Sequence, residues 1–184
     1  GSAGNYIVTV TDANGCVGTS PSFSVVVNPL PTGVISQNSA ICIGQSSSVN
    51  LSFTGTGPFN YVYSNGTQNF NGSSATSSTS ITLSPGTTTT YTLISVTDAN
   101  CTGNVSGSAT ITVNPLPTPA ISGNTVFCQG DATMLDAGNG YQNYVWSNGG
   151  TGQTINTGIA GVYVVTVTDA NGCTNTASTT ITVN

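Results

Sequence analysis

A chain of 184 residues with no Lys, Arg or His has nothing with which to neutralise a phosphate, so nucleic-acid binding and docking on an anionic lipid surface are excluded as roles. All five acidic groups are Asp and the net charge is −5, so no side-chain ion pair can form and solubility rests on Ser, Thr, Asn, Gln and Gly. Hydrophobic residues make up 36%, a low share, and no apolar run reaches the ~18 residues of a membrane-spanning helix, so no membrane insertion is expected.

The apolar residues are mostly Val and Ile, alternate with Thr, and show no helical period, which is the composition of half-buried β-strands. No charged start followed by an apolar stretch reads as an export signal. In chain order, the first strands are expected near residues 5–11 and 22–27. They make a hairpin with an apolar face, Tyr6, Val8, Val10, Val25 and Val27, and no further strands to cover it. Asn28-Pro-Leu-Pro-Thr32 follows. Two close prolines cannot donate to a ladder and favour a stiff extended connection.

Six strands are expected next, near 33–37, 48–54, 59–64, 79–83, 90–97 and 107–113. In the fifth, the apolar phase shifts between Leu93 and Ile94, as one inserted residue would cause, and predicts a β-bulge near 93–95. A second Asn114-Pro-Leu-Pro-Thr118 leads to strands near 119–123, 132–137, 143–147, 153–156, 161–168 and 176–183. Tyr163, Val165 and Val167 fall on one face of their strand, Thr166 and Thr168 on the other.

Several stretches recur. Tyr6-Ile-Val-Thr-Val-Thr-Asp-Ala-Asn-Gly-Cys16 returns as Tyr163-Val-Val-Thr-Val-Thr-Asp-Ala-Asn-Gly-Cys173 and, with one residue more in its strand and its Gly missing, as Tyr91-Thr-Leu-Ile-Ser-Val-Thr-Asp-Ala-Asn-Cys101. Ile41-Cys-Ile-Gly44 matches Phe127-Cys-Gln-Gly130, and Tyr61-Val-Tyr-Ser-Asn-Gly66 matches Tyr144-Val-Trp-Ser-Asn-Gly149. The repeats divide the chain into 1–28, the last two strands of a repeat; 29–114, a full repeat; and 115–184, a second full repeat. Six or seven short strands in about 70 to 86 residues predict an all-β chain of tandem antiparallel immunoglobulin-like β-sandwiches strung as a rod. Trp146, with Tyr63 at the matching place, is the expected core anchor.

Cys16, Cys42, Cys101, Cys128 and Cys173 recur at repeat positions, which points to disulfides and an oxidising compartment. Two pairings are open. Within repeats, Cys42 would join Cys101 and Cys128 would join Cys173, leaving Cys16 unpaired or bonded to another molecule. This makes each repeat self-contained and is the expected arrangement. Yet the two cysteines of a repeat fall at turns on opposite poles of such a sandwich, too far apart for a disulfide. If that topology holds strictly, Cys42 joins Cys173 across repeats and Cys128 awaits a following repeat.

Asp-Ala-Asn-Gly at 12–15 and 169–172 begins like a calcium loop but lacks the rest of one. Asn-Gly after an alternating strand is a tight-turn signal, so a turn is expected, with calcium on Asp12, Asp98 or Asp169 as the minor alternative. Catalysis has no His, Glu, Lys or nucleophile elbow to use. Asp131 and Asp136 flank one strand, but a carboxylate pair works only in a cleft, so no enzyme is expected. Asn50, Asn65, Asn71, Asn100 and Asn104 head Asn-x-Ser/Thr triplets, which arise by chance in such a composition.

The order Cys-x-Gly, Tyr-x-Trp-Ser-Asn-Gly, Gly-x-Tyr-x-Val-x-Val-Thr-Asp-Ala-Asn-Gly-Cys and Thr-Ile-Thr-Val-Asn-Pro-Leu-Pro resembles the immunoglobulin-like or PKD-like tandem repeats of large secreted surface proteins of Bacteroidota-type bacteria, gliding adhesins among them. The resemblance covers essentially the whole chain. It implies export, secretion to the cell surface and a fibrous or adhesive array. The expected role is therefore a stiff, disulfide-stapled structural segment of an extracellular fibre or adhesin, partnered by neighbouring repeats or by copies of itself. In the latter case the uncovered hairpin completes a sandwich in another molecule and Cys16 bonds that neighbour, for instance its Cys128. The alternative is a carbohydrate-binding module presenting Tyr61, Phe70, Tyr141 or Tyr144 to surface glycans.

Overall fold

The computed structural model describes all residues, Gly1–Asn184. Every regular element is a strand. The hairpin region holds β1 (Gly4–Tyr6), β2 (Thr9–Thr11), β3 (Val17–Thr19) and β4 (Phe23–Val25). Then come β5 (Thr32–Ser36), β6 (Ser39–Cys42), β7 (Ser47–Thr54), β8 (Phe59–Ser64), β9 (Asn69–Ser74), β10 (Ser78–Leu83), β11 (Thr89–Thr97), β12 (Asn104–Gly107) and β13 (Ala109–Asn114). The last are β14 (Val126–Phe127), β15 (Thr133–Asp136), β16 (Asn143–Trp146), β17 (Thr154–Thr157), β18 (Gly161–Thr168) and β19 (Thr174–Val183).

Six sheets result, ordered β1-β4, β2-β3, β10-β7-β5-β12, β6-β13-β11-β8-β9, β14-β19-β18-β16 and β15-β17. Most pairings are antiparallel, but β12 runs parallel to β5, β6 to β13 and β14 to β19. Each parallel pairing joins a strand early in a repeat to one late in it, while β9, β10 and β16 remain edge strands.

The chain packs as two compact units. The first is Gly1–Ser36, Asn50–Ile81 and Tyr91–Ser108; the second is Gln37–Val49, Thr82–Thr90 and Ala109–Asn184. In the first, Ile35, Leu51, Phe53, Phe59, Tyr61, Leu93 and Val96 are buried. Phe53 stacks on both Phe59 and Tyr61, at 5.1 and 5.3 Å between ring centres. Tyr61 is paired across the strands with Gly72, where a Cβ would stand 2.4 Å from its ring; the bare glycine is what lets the ring lie flat. The expected bulge is present: Leu93 faces Tyr63 but Ser95 faces Val62, so Ile94 is the extra residue and points outward.

In the second unit one core gathers Phe127, Leu135, Ala137, Tyr144, Trp146, Ile155, Tyr163, Val165, Val167 and Ile181. The alternation in β18 puts Tyr163, Val165 and Val167 inward. Trp146 is 2% exposed and its Nε1 donates to the Gly152 carbonyl at 2.8 Å.

Several details depart from expectation. Tyr63 is only half-buried and stacks on Phe70 at 5.1 Å, so it is no core anchor; Phe59 and Tyr61 fill that layer instead. Strands β3, β6, β9 and β14 were not expected, the strand expected near 5–11 is interrupted at Ile7 and Val8, and the one expected near 119–123 is reduced to a single bridge between Ser122 and Asp136. The strand expected at 107–113 begins earlier and is broken into β12 and β13 at Gly107, which has φ +84 and would place a Cβ 2.2 Å from the Ile35 carbonyl oxygen. Gly107→Ala is expected to cost about 2 kcal/mol or more, through left-handed strain and loss of the β5–β12 pairing. Urea unfolding followed by circular dichroism measures it.

The second proline of each connection is seated, while Pro29 and Pro115 are exposed. Pro31 and Pro117 are both buried. The Pro31 carbonyl accepts from the Asn104 amide at 3.1 Å, and the Pro117 carbonyl accepts from Asn175 Nδ2 at 2.8 Å. Each connection is thereby tacked to the strand that follows an aspartate turn.

Candidate functional site: the cysteine joint

Chemistry in this chain concentrates at its cysteines, and two local devices position them. The first is the aspartate turn. Asp169 Oδ1 accepts from the amides of Asn171 and Cys173 at 2.8 and 2.9 Å, and the Asp169 amide donates to the Cys173 carbonyl at 2.9 Å. Asp12 does the same with Asn14 and Cys16 at 2.9 and 2.8 Å. Asp98 does it with Asn100 and Cys101 at 2.8 and 2.7 Å. A short carboxylate side chain caps its own turn in this way, and the cysteine is the residue that closes it.

The turn also accounts for the carboxylates proposed above for calcium: in each, Oδ1 is committed to two backbone amides. At Asp98, Oδ2 takes a third amide, that of Thr56, at 3.1 Å. The amides of Asn100, Thr56 and Cys101 together hold the Asp98 carboxyl below the ordinary aspartate range, against a weaker opposing effect of desolvation. A depressed folded value means the turn's contribution is intact above the unfolded value, near pH 4, and is lost as pH falls through the folded one. Amide exchange at Thr56 and Cys101, corrected for the intrinsic rate, is therefore expected to quicken only below about pH 4, and Asp98→Ala to show the quickened exchange at every pH.

The second device is the cysteine-ended parallel strand. β6 lies along β13 with Ile41 opposite Val113 and Cys42 opposite Asn114. The Ile43 amide then donates to the Asn114 carbonyl at 2.9 Å, and the Gln45 amide turns back to the Cys42 carbonyl at 3.0 Å. In the last repeat, Phe127 lies opposite Val183, Gln129 donates to the Asn184 carbonyl at 2.9 Å and Asp131 to the Cys128 carbonyl at 3.1 Å. Cys128 thus holds the position on β14–β19 that Cys42 holds on β6–β13.

The two devices meet once. Cys42 and Cys173 form a disulfide with Cα atoms 5.6 Å apart, and both residues are buried. Cys16, Cys101 and Cys128 are free thiols. The within-repeat pairs Cys42–Cys101 and Cys128–Cys173 are therefore replaced by the cross-repeat pair. The reason is the one geometry raised: the cysteine of the parallel strand sits at the end of its repeat where the closing strand exits, and the turn cysteine sits where the next repeat begins.

The remaining candidates are dispersed. Tyr61 and Tyr144 are buried; Phe70 and Tyr141 are half-covered, the latter edge-on to Tyr144 at 5.8 Å between centres. Two of the four are buried and two are half-covered, which weighs against the glycan reading. Asp136 Oδ1 is engaged by the Gly138 amide and Gln153 Nε2 at 2.8 and 2.9 Å, and Asp131 is exposed; no acidic cleft joins them. Tyr6, Val8, Val10 and Val27 of the hairpin are between 50% and 63% exposed, and Val25 is half-covered.

The family model for the Ig-like domain of nucleoporin POM152 matches residues 34–111. The fold is immunoglobulin-like. Among solved structures, the chain is similar to a three-Ig fragment of titin, domains I67–I69, at 14% identity and TM-score 0.48, covering 86% of this chain and 66% of that one. It is also similar to Sidekick-1 immunoglobulin domains 1–4, at 14% identity and TM-score 0.42, covering 99% and 58%, and to DIP-gamma IG1+IG2, at 11% identity and TM-score 0.42, covering 86% and 99%. The chain thus spans just under two thirds of the titin fragment. No curated protein matches it. Immunoglobulin-like modules are in general structural or interaction modules rather than enzymes.

Proposed function

We propose that the chain is a structural segment of an extracellular surface fibre or adhesin, acting as a stiff, disulfide-stapled spacer. The observation that carries this is the Cys42–Cys173 bond, which ties the closing edge of one sequence repeat to the entry turn of the next. A buried disulfide of this kind belongs to an oxidising compartment, and the secreted bacterial arrays whose repeat signature the chain resembles are such a setting. The seated prolines Pro31 and Pro117 limit bending where repeats join.

The mechanism is mechanical. Tension applied at the two ends travels through the chain to Cys42, crosses the disulfide and continues from Cys173. The intervening residues, a separation of 131, carry none of it. The uncovered hairpin (Tyr6, Val8, Val10, Val25, Val27) is the face that a neighbouring repeat or another copy covers.

Single-molecule stretching tests the reading. Reducing the bond is expected to lengthen the fully extended molecule by about 450 Å, at ~3.4 Å per released residue, and to add unfolding events at low force. Equal extension and equal force with and without reductant would remove the load-bearing role.

A further inference from the structure

In both complete repeats the closing strand is flanked by a parallel strand with a cysteine at its end or directly after it: β13 by β6, which ends in Cys42, and β19 by β14, which Cys128 follows. The hairpin's closing strand is β4, and Val26, Val27 and Asn28 follow it. This strand is paired only with β1, so its outer edge is bare and Val26 and Val27 are 73% and 55% exposed. Val25-Val-Val-Asn28 corresponds to Ile111-Thr-Val-Asn114 and Ile181-Thr-Val-Asn184.

A second observation marks the same place. In each complete repeat, the carbonyl of that terminal Asn accepts the amide of the residue after the cysteine: Asn114 from Ile43, Asn184 from Gln129. The Asn28 carbonyl instead has the Cys101 Sγ 4.0 Å away. Cys101 closes its aspartate turn as Cys173 does, and Cys173 is bonded to the cysteine that flanks Asn114. So the acceptor carbonyl, the strand edge and the thiol converge on one position, and the corresponding position beside Asn114 and Cys173 is held by β6 and Cys42.

We propose that Cys101, Asn28 and the outer edge of Phe23–Asn28 form a covalent strand-acceptor site. Its ligand is a β-strand of pattern apolar–Cys–x–Gly. The strand adds parallel to β4, its apolar residue opposite Val27 and its cysteine opposite Asn28, and the amide after the cysteine donates to the Asn28 carbonyl. The strand's cysteine then joins Cys101. Strand addition supplies recognition through main-chain hydrogen bonds, and the disulfide makes it permanent. Joining two thiols releases two protons and two electrons; the electron acceptor is a small-molecule disulfide, which is reduced to two thiols by exchange. This deepens the spacer reading by naming what the joint takes up, but its test reads strand recognition and not load, so the two can fail separately.

The probe is a synthetic peptide with the sequence of residues 38–46, Asn-Ser-Ala-Ile-Cys-Ile-Gly-Gln-Ser, whose cysteine carries an aryl thiol as a mixed disulfide. The Cys101 thiolate attacks the peptide sulfur, the aryl thiolate leaves with the bonding pair and is read by absorbance, and mass spectrometry locates the adduct. Docking raises the local concentration of the peptide disulfide, so Cys101 is expected to react about tenfold faster with this peptide than with one scrambled around the same cysteine. Cys16 and Cys128 are expected to react equally with both. In Val27→Asp, which leaves Cys101 in place, the preference at Cys101 is expected to vanish. Equal rates for the two peptides at Cys101, or a preference that survives in Val27→Asp, would overturn the site and leave Cys101 as an ordinary half-buried thiol.

Discussion

Opening the Cys42–Cys173 bond, by reductant or by Cys42→Ala, is expected to destabilise the unit containing Trp146 by about 3 to 5 kcal/mol. The figure follows from the size of the ring. With a sequence separation of 131, the loop-closure entropy removed from the unfolded chain is worth about 5 kcal/mol at 25 °C in the chain-entropy account, and measured losses fall somewhat below such values. No packing term of comparable size is at stake, because each cysteine alone fills the space of a small apolar side chain. Trp146 is the sole tryptophan and reports on its own unit, so urea unfolding followed by its fluorescence measures the loss directly. The urea dependence is expected to steepen as well, since the opened chain exposes more surface when unfolded. A loss below about 1 kcal/mol would mean that the unfolded chain is already held together at this joint. Part of the loss is expected to be shared by the other unit, because Asn50–Ile81 and Tyr91–Ser108 lie inside the same ring.

Trp146→Ala is expected to cost about 3 to 5 kcal/mol, and Tyr63→Ala less than half as much, although the two residues occupy matching places in the repeats. Trp146 is almost wholly enclosed, so its removal combines lost apolar burial with a cavity that Leu135, Ile155 and Val165 can only partly fill. It also leaves the Gly152 carbonyl without its indole donor. Tyr63 is only half-buried, against Phe70, Tyr61 and Tyr91, so truncation there loses less burial and opens a smaller void. Circular-dichroism melts of the two variants decide the ranking, and equal losses would contradict the burial difference.

The strands that alternate strictly were legible from sequence because the inward residues name their own face. β7, β11 and β18 fall where the pattern places them, and the bulge at Ile94 was visible as a slip in that pattern. What escaped was decided by distant partners. β6 reads Ser-Ala-Ile-Cys, too short to carry a period, and becomes a strand only because β13 offers it a parallel edge. β9 is polar and contains Gly72; its place depends on the Tyr61 ring lying over that glycine and on Phe70 meeting Tyr63. Gly107 gave no local hint that it would divide one strand between two sheets; only the Ile35 carbonyl explains it.

At the joint both pairings were readable from the repeat positions, and the cross-repeat one forms. That the two cysteines of one repeat fall at opposite poles was already deducible, and it excludes the self-contained pairing. The preference for independent repeats rested on economy rather than on geometry. The turn reading of Asp-Ala-Asn-Gly rested on local backbone chemistry alone, and Asp12 and Asp169 form those turns.

The ring closed by Cys42 and Cys173 has one more consequence. A single backbone cut anywhere between these residues leaves residues 1–42 and 173–184 in one covalent piece, since the disulfide bypasses the nick. The stretch it safeguards includes the exposed turns around Asn65-Gly66, Gly86 and Asn148-Gly149, where loop tips are most open to proteases. A chain with no Lys or Arg already denies trypsin-like enzymes a site; for other enzymes, one cleavage inside the ring is not severance, and a second covalent bond must also break before the two ends part.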